Sequence, residues 1–152
     1  MPEKVIFLDI DGVLATRKSE AEKRTMDPGP LWFLDKDCVA VLKSLVDKTG
    51  ADLVISSSWR EAKTWLKNIT TALAVAGWIN PPIIGRTPVP EAILRGINIA
   101  SWLEHNQTKT FVIIDDASDM LPEQFSRFVK TSMVGGLTMV HHDLCVQLLG
   151  LK

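Results

Sequence analysis

No stretch of this 152-residue chain is apolar for anything near the roughly 20 residues that a membrane-crossing helix needs, so a spanning segment is excluded. Charge of neither sign prevails. Seventeen Lys and Arg against 18 Asp and Glu leave a formal net charge of −1. No global positive field therefore marks the chain as a nucleic-acid binder, although a local basic patch remains compatible with it. Only two cysteines occur, Cys38 and Cys145, far apart and with neither a CxxC pair nor a histidine at ligand spacing. That excludes a disulfide scaffold and predicts two reduced, buried thiols. Met1-Pro2-Glu3-Lys4 runs straight into an apolar segment without a leader pattern, so the expected location is the cytoplasm. Internal repeats, low-complexity tracts and interdomain linkers are also missing. What is present, 46% hydrophobic and 23% charged residues, is ordinary globular composition, and the length suits one domain over residues 2–152.

Short apolar runs alternate with segments of helical spacing, which predicts an α/β fold: a doubly wound, mostly parallel sheet of five strands. Val5-Ile6-Phe7-Leu8 is continuously apolar, as buried parallel strands are. Residues 15–35 read as a polar loop turning at Asp27-Pro28-Gly29-Pro30. Val39, Leu42, Leu45 and Val46 then recur at helical spacing, with Gly50 at the C-cap. A second strand covers 52–56. Ala62, Trp65, Leu66, Ile69 and Leu73 mark the inner face of a helix ending near Gly77. A short strand is expected at 81–85. Pro90 fits the first position of a helix that turns Ile93, Ile97, Ala100 and Leu103 inward. Residues 111–114 form another buried strand, 127–131 an edge strand, and Leu144, Leu148 and Leu149 anchor a last helix.

Acids stand where two apolar strands end. The first run continues into Asp9-Ile10-Asp11-Gly12, and the strand at 111–114 into Asp115-Asp116. The carboxyl edge of an open α/β sheet is where ligands bind. Asp9 and Asp11 fall on one side of an extended segment, and Gly12 lets the backbone turn close to a ligand. Four carboxylates at one edge need a cation, and such oxygen donors suit Mg²⁺. Solvated turn acids are the plainer alternative.

Asp9-Ile10-Asp11-Gly12-Val13-Leu14 resembles the first signature of the haloacid dehalogenase-like (HAD) superfamily. Ser56 after Leu53-Val54-Ile55 resembles the second, and Asp115-Asp116, with Asp119, the acidic fourth. Ser56-Ser57-Ser58-Trp59-Arg60, Arg95-Gly96-Ile97 with Trp102-Leu103, and Gly136-Leu137-Thr138 are similar to the HAD domain of Swiss Army Knife RNA repair proteins. The resemblance spans residues 4–150. It implies a phosphatase in which Asp9 is the nucleophile and Asp11 the general acid and base, acting through an aspartyl-phosphate. It further implies Mg²⁺ held by Asp9, Asp11, Asp115 and Asp116, a backbone carbonyl of Ile10 or Asp11 included, with Ser56 and Ser57 on the phosphoryl oxygens. Superfamily dehalogenases lack the second Asp of the first signature, so Asp11 favours phosphate-ester hydrolysis. The third signature departs from the pattern: a Lys is usual, and Arg95 is the best-placed cation. Lys109 sits at the wrong end of its strand.

Trp59 and Arg60 follow Ser56 closely enough to touch substrate, by stacking on a base and binding a second phosphate. Trp59 as a packing residue, Ser56 as a helix cap and Arg95 as a surface cation are the plainer alternatives. His141-His142 point different ways on a helix and are not expected to hold metal. The 45 positions from Asp11 to Ser56 and the 39 from Ser56 to Arg95 leave no room for a separate cap domain. An open site suits large substrates such as nucleic-acid ends or phosphoproteins, with phosphorylated RNA or nucleotide ends the expected ones and Arg17, Lys18, Lys23 and Arg24 as a basic flap or a solvated loop. A non-catalytic phosphate-binding module and a small-metabolite phosphatase capped by a second subunit fit the same residues. Oligomeric state is left open.

Overall fold

The computed structural model describes residues 2–152. Its sheet has five strands, all parallel, in the order β3-β2-β1-β4-β5. They are β1 (Lys4–Leu8), β2 (Asp52–Ile55), β3 (Ile83–Arg86), β4 (Thr110–Asp115) and β5 (Phe128–Lys130). The two most apolar runs become the central pair, with Leu8 opposite Ile114, and both are fully buried there. Helices α2 (Lys36–Thr49), α3 (Trp65–Val75) and α5 (Met139–Leu149) pack their apolar residues on one face of the sheet. Helix α4 (Arg95–His105) covers the other through Ile99 and Trp102 on Val5, Phe7 and Ile113. The strand order reverses between β1 and β4, the switch point at which open α/β sheets place their ligands. Among the described residues there is no separate cap. Among the described residues, no helix is long and apolar enough to cross a membrane.

Several elements differ from the sequence reading, each for a local reason. The expected loop at 15–35 opens with a helix, α1 (Arg17–Arg24), because Thr16 and Ser19 cap its first turn reciprocally. Helix α4 begins at Arg95 rather than at Pro90. Buried Asn98 folds residues 88–92 back over the helix start, accepting from the Ala92 N–H at 2.8 Å and donating to the Pro88 and Pro90 carbonyls at 3.2 Å. The helix is thereby rephased: Gly96, Asn98, Ile99 and Trp102 face inward, and Ile93 is 97% exposed. Ala62 and Leu66 also lie at the surface, since a 3-10 turn (Ser58–Glu61) precedes α3. Leu144 is exposed, and His142 and Cys145 fill the α5 contact instead.

Candidate active site

Asp9 comes directly after β1 and donates its N–H to the Ile114 carbonyl, which extends the pairing with β4 by one residue. The chain then coils. The Ile10 carbonyl accepts from the amides of Val13, Leu14 and Ala15 at 3.1, 2.8 and 3.0 Å. Gly12 turns through φ +81°, and a Cβ there would collide with the Asp116 carboxylate, so only glycine fits. Thr131, beyond β5, ties the turn down by donating to the Gly12 carbonyl at 2.6 Å.

The turn leaves Asp9, Asp115 and Asp116 with one carboxylate oxygen each inside a 4.8 Å cluster. Asp9 is 5% exposed and Asp115 fully buried. Arg95, at the first turn of α4, sets Nη1 between them, 3.1 Å from Asp9 Oδ1 and 2.7 Å from Asp115 Oδ2. Its Nε donates to Glu91 Oε1 at 2.8 Å, so none of these three contacts uses Nη2. Burial pushes the Asp9 carboxyl up to about 8, the Asp115 charge adds to the rise, and Arg95 opposes it. Burial also raises Asp115, against the pull of Arg95. For Arg95, burial works against the charge, but Asp9 and Asp115 outweigh it and hold the guanidinium cationic. One cation does not balance three converging carboxylates, and an all-oxygen donor set of that charge fits Mg²⁺. The Ile10 carbonyl, one of the two backbone oxygens expected to face such an ion, already accepts three amides.

The family model described as the HAD domain in Swiss Army Knife RNA repair proteins matches residues 5–142. The chain belongs to that family. Comparisons with curated proteins and with solved structures returned no match. Membership ties this HAD domain to HAD-type phosphatase chemistry and to RNA repair.

Of the other residues singled out in the sequence of this HAD domain, Ser56 stays beside Asp9 and the rest lie outside the acidic cluster. The Asp11 carboxylate lies outside the acidic trio, exposed, with Oδ2 accepting from the Trp59 indole N–H at 3.2 Å. The coil after Ile10 is the reason: it ends the extended geometry that would have put Asp9 and Asp11 on one side. Ser56 sits beside Asp9, its N–H donating to the Leu8 carbonyl, and its buried hydroxyl has no partner. An orphaned buried hydroxyl is costly unless a ligand answers it. Ser57 is turned away and caps the 3-10 turn, accepting from the Trp59 N–H at 3.2 Å. Arg60 is fully buried, its guanidinium turned to backbone carbonyls rather than toward a second phosphate. It donates to the carbonyls of Ser56, Ser57, Thr87 and Pro88 and so staples the second-signature loop to the segment after β3. Lys109 pairs with Glu3 at 2.8 Å, at the opposite edge of the sheet. His141 caps α5, and His142 lies buried between Ser44 and Asp143. Cys38 and Cys145 are free and buried.

One site residue escaped the sequence reading. Glu91 clamps Arg95 from four residues upstream, a spacing that signals a pair only on a helix, and Glu91 lies before α4 begins. Asp119, expected with the acidic fourth signature, lies outside the acidic trio and instead accepts from the Arg95 N–H at 3.2 Å, which fixes the helix start. A surface cavity of about 650 Å³ lies elsewhere, by Lys63, Lys67 and Pro81, and is lined by no acid.

Proposed function

We propose that this domain is a Mg²⁺-dependent phosphomonoesterase that works through an aspartyl-phosphate and acts on phosphorylated RNA or nucleotide ends. One observation carries it: a buried carboxylate, Asp9, clustered with two further acids and bridged to one of them, Asp115, by an arginine. Asp9, Asp115, Asp116 and the Asp11 carbonyl are the oxygens that would hold Mg²⁺, which when bound offsets the repulsion between a carboxylate and a phosphate. Asp9 attacks phosphorus, and the P–O bond to the leaving group breaks as the Asp9–phosphorus bond forms. Asp11 gives its proton to the leaving oxygen, then takes one from the water that cleaves the acyl phosphate and releases inorganic phosphate. Arg95 and the Ser56 hydroxyl hold the phosphoryl oxygens, which carry charge throughout. The missing cap favours a large substrate. The exposed charges of α1 are partly matched, Lys18 lying 3.6 Å from Asp37, so the flap supports end binding only weakly. Two free thiols support a reducing, cytoplasmic setting.

Hydrolysis of 4-nitrophenyl phosphate should require Mg²⁺ and stop in chelator. Millimolar Mg²⁺ should also raise the melting temperature, by the equivalent of about 2.7 kcal/mol at 100 times Kd. Full activity in chelator, or a melting point unmoved by Mg²⁺, would sink the metal assignment. A non-catalytic binding module would show the thermal shift without turnover.

The charge pattern also predicts a pH effect in chelator. Unfolded Asp9 loses its proton near its ordinary value of 3.8, whereas the folded group keeps it until about 8. Between those values the folded state binds the extra proton, so raising pH favours unfolding. The melting temperature should therefore fall across that window, and fall less in Asp9→Asn. Parallel profiles for the two proteins would show that Asp9 is not the group responsible.

A further inference from the structure

Beside Asp11 the surface opens into a cavity of about 190 Å³, walled by Asp11, Trp32, Ser58, Trp59, Ala62 and Asn68. Sites that enclose a drug-sized ligand measure roughly 300–1,000 Å³, so this one suits a single small ring system. Trp32 comes from the segment before α2 and Trp59 from the 3-10 turn after β2. Their ring centroids lie 5.7 Å apart at a tilt of 48°. Trp59 rests against the core, whereas Trp32 lies on a loop, is 38% exposed and is not among the residues packed on the core. Asn68 brings an amide that can both donate and accept, and Ser58 an exposed hydroxyl.

We propose that this cavity seats the terminal nucleobase of a phosphorylated single-stranded end, stacked on Trp32 and Trp59, with Asn68 and Ser58 meeting its polar edge. The assignment rests on the phosphatase reading above. Asp11 is the residue that would protonate the leaving oxygen, so the group attached to that oxygen emerges on the Asp11 side of the site. The cavity is what it meets there. Stacking on aromatic faces tolerates any base, because every base has a π-face, and a polar-edge contact then adds a modest preference. The Trp59 N–H on Asp11 joins the two functions, since the indole that supports the base also holds the acid at the leaving group. An aliphatic phosphate would leave the aromatic walls unfilled.

The test uses an RNA trinucleotide phosphorylated at both ends and the same backbone with abasic terminal riboses. Phosphate release gives kcat/KM for each, and calorimetric titration gives Kd. The base-bearing ligand should be favoured by about 5- to 150-fold, the range typical of losing one stacked base. That ratio should shrink toward one in Trp32→Ala and recover in part in Trp32→Phe, with melting curves confirming that both variants fold. Equal values for the two ligands in the unaltered protein would overturn the base seat and leave the phosphatase reading standing. A ratio that survives intact in Trp32→Ala would overturn its location. Release from neither ligand would overturn the phosphatase reading instead. Calorimetry would then decide the seat alone: a preference for bases that is lost in Trp32→Ala sustains it, and no preference removes it.

Discussion

Asp9→Asn should reduce phosphate release to the uncatalysed background while the protein stays folded. The amide has nearly the shape of the carboxylate, so packing at the end of β1 is kept. It has no charge, so it cannot attack phosphorus, and it weakens the acidic trio as a cation site. Stability should not suffer. Asp9 is buried beside Asp115, and its charged form is disfavoured there, so in chelator the Asn protein should melt at or above the temperature of the unaltered one. Asp11→Asn makes the useful contrast. Its carboxylate lies outside the trio and would serve only proton transfer, so its loss should cost about 10²–10⁴-fold and leave binding of Mg²⁺ nearly intact. Steady-state rates, melting curves and Mg²⁺ titrations on the three proteins separate these effects. Near-normal turnover in Asp9→Asn would mean that phosphate never becomes attached to Asp9.

How much of this was legible in the sequence depends on which interactions are local. Val5–Leu8 and Phe111–Ile114 are continuous apolar runs, and such runs become central parallel strands because both faces of the sheet are covered. The acids that follow them then share one edge by topology alone, which is why Asp9, Asp115 and Asp116 could be grouped before any coordinates. Helix phase was less accessible. Ile93 and Ile97 have the apolar character of an inner face, but Asn98 and Asp119 set the start of α4 through contacts across 24 residues or fewer that no periodicity encodes. Arg60 misleads for a related reason. A buried Arg that satisfies backbone carbonyls has the same sequence signature as one that waits for a phosphate. The reverse holds for Trp59: its place beside Asp11 depends on how the coil after Ile10 meets the turn after Ser56, and only the folded chain brings the two together.

Arg95→Ala should lower kcat/KM by roughly the 10²–10³-fold typical of removing one transition-state donor. Nη1 already bridges Asp9 and Asp115, and Nη2 is the N–H group that their bonds leave for a phosphoryl oxygen. Without the guanidinium, two buried carboxylates face each other with no cation between them. In chelator the variant should therefore lose stability as well, toward the about 3–5 kcal/mol typical of breaking a buried ion pair, lessened because Asp9 can take up a proton. Added Mg²⁺ should restore much of that stability, because it supplies positive charge to the same acids, but it should not restore the rate. That split separates a residue working on the phosphoryl group from one that merely balances charge. Arg95→Lys should recover part of the activity, since the charge remains while the fork that spans Glu91, Asp9 and Asp115 is lost. Kinetics with one phosphomonoester and melting curves with and without Mg²⁺ on the three proteins are sufficient. A rate in Arg95→Ala that returned to normal with Mg²⁺ would reduce Arg95 to a counter-ion and leave the phosphoryl oxygens to Ser56 and the metal.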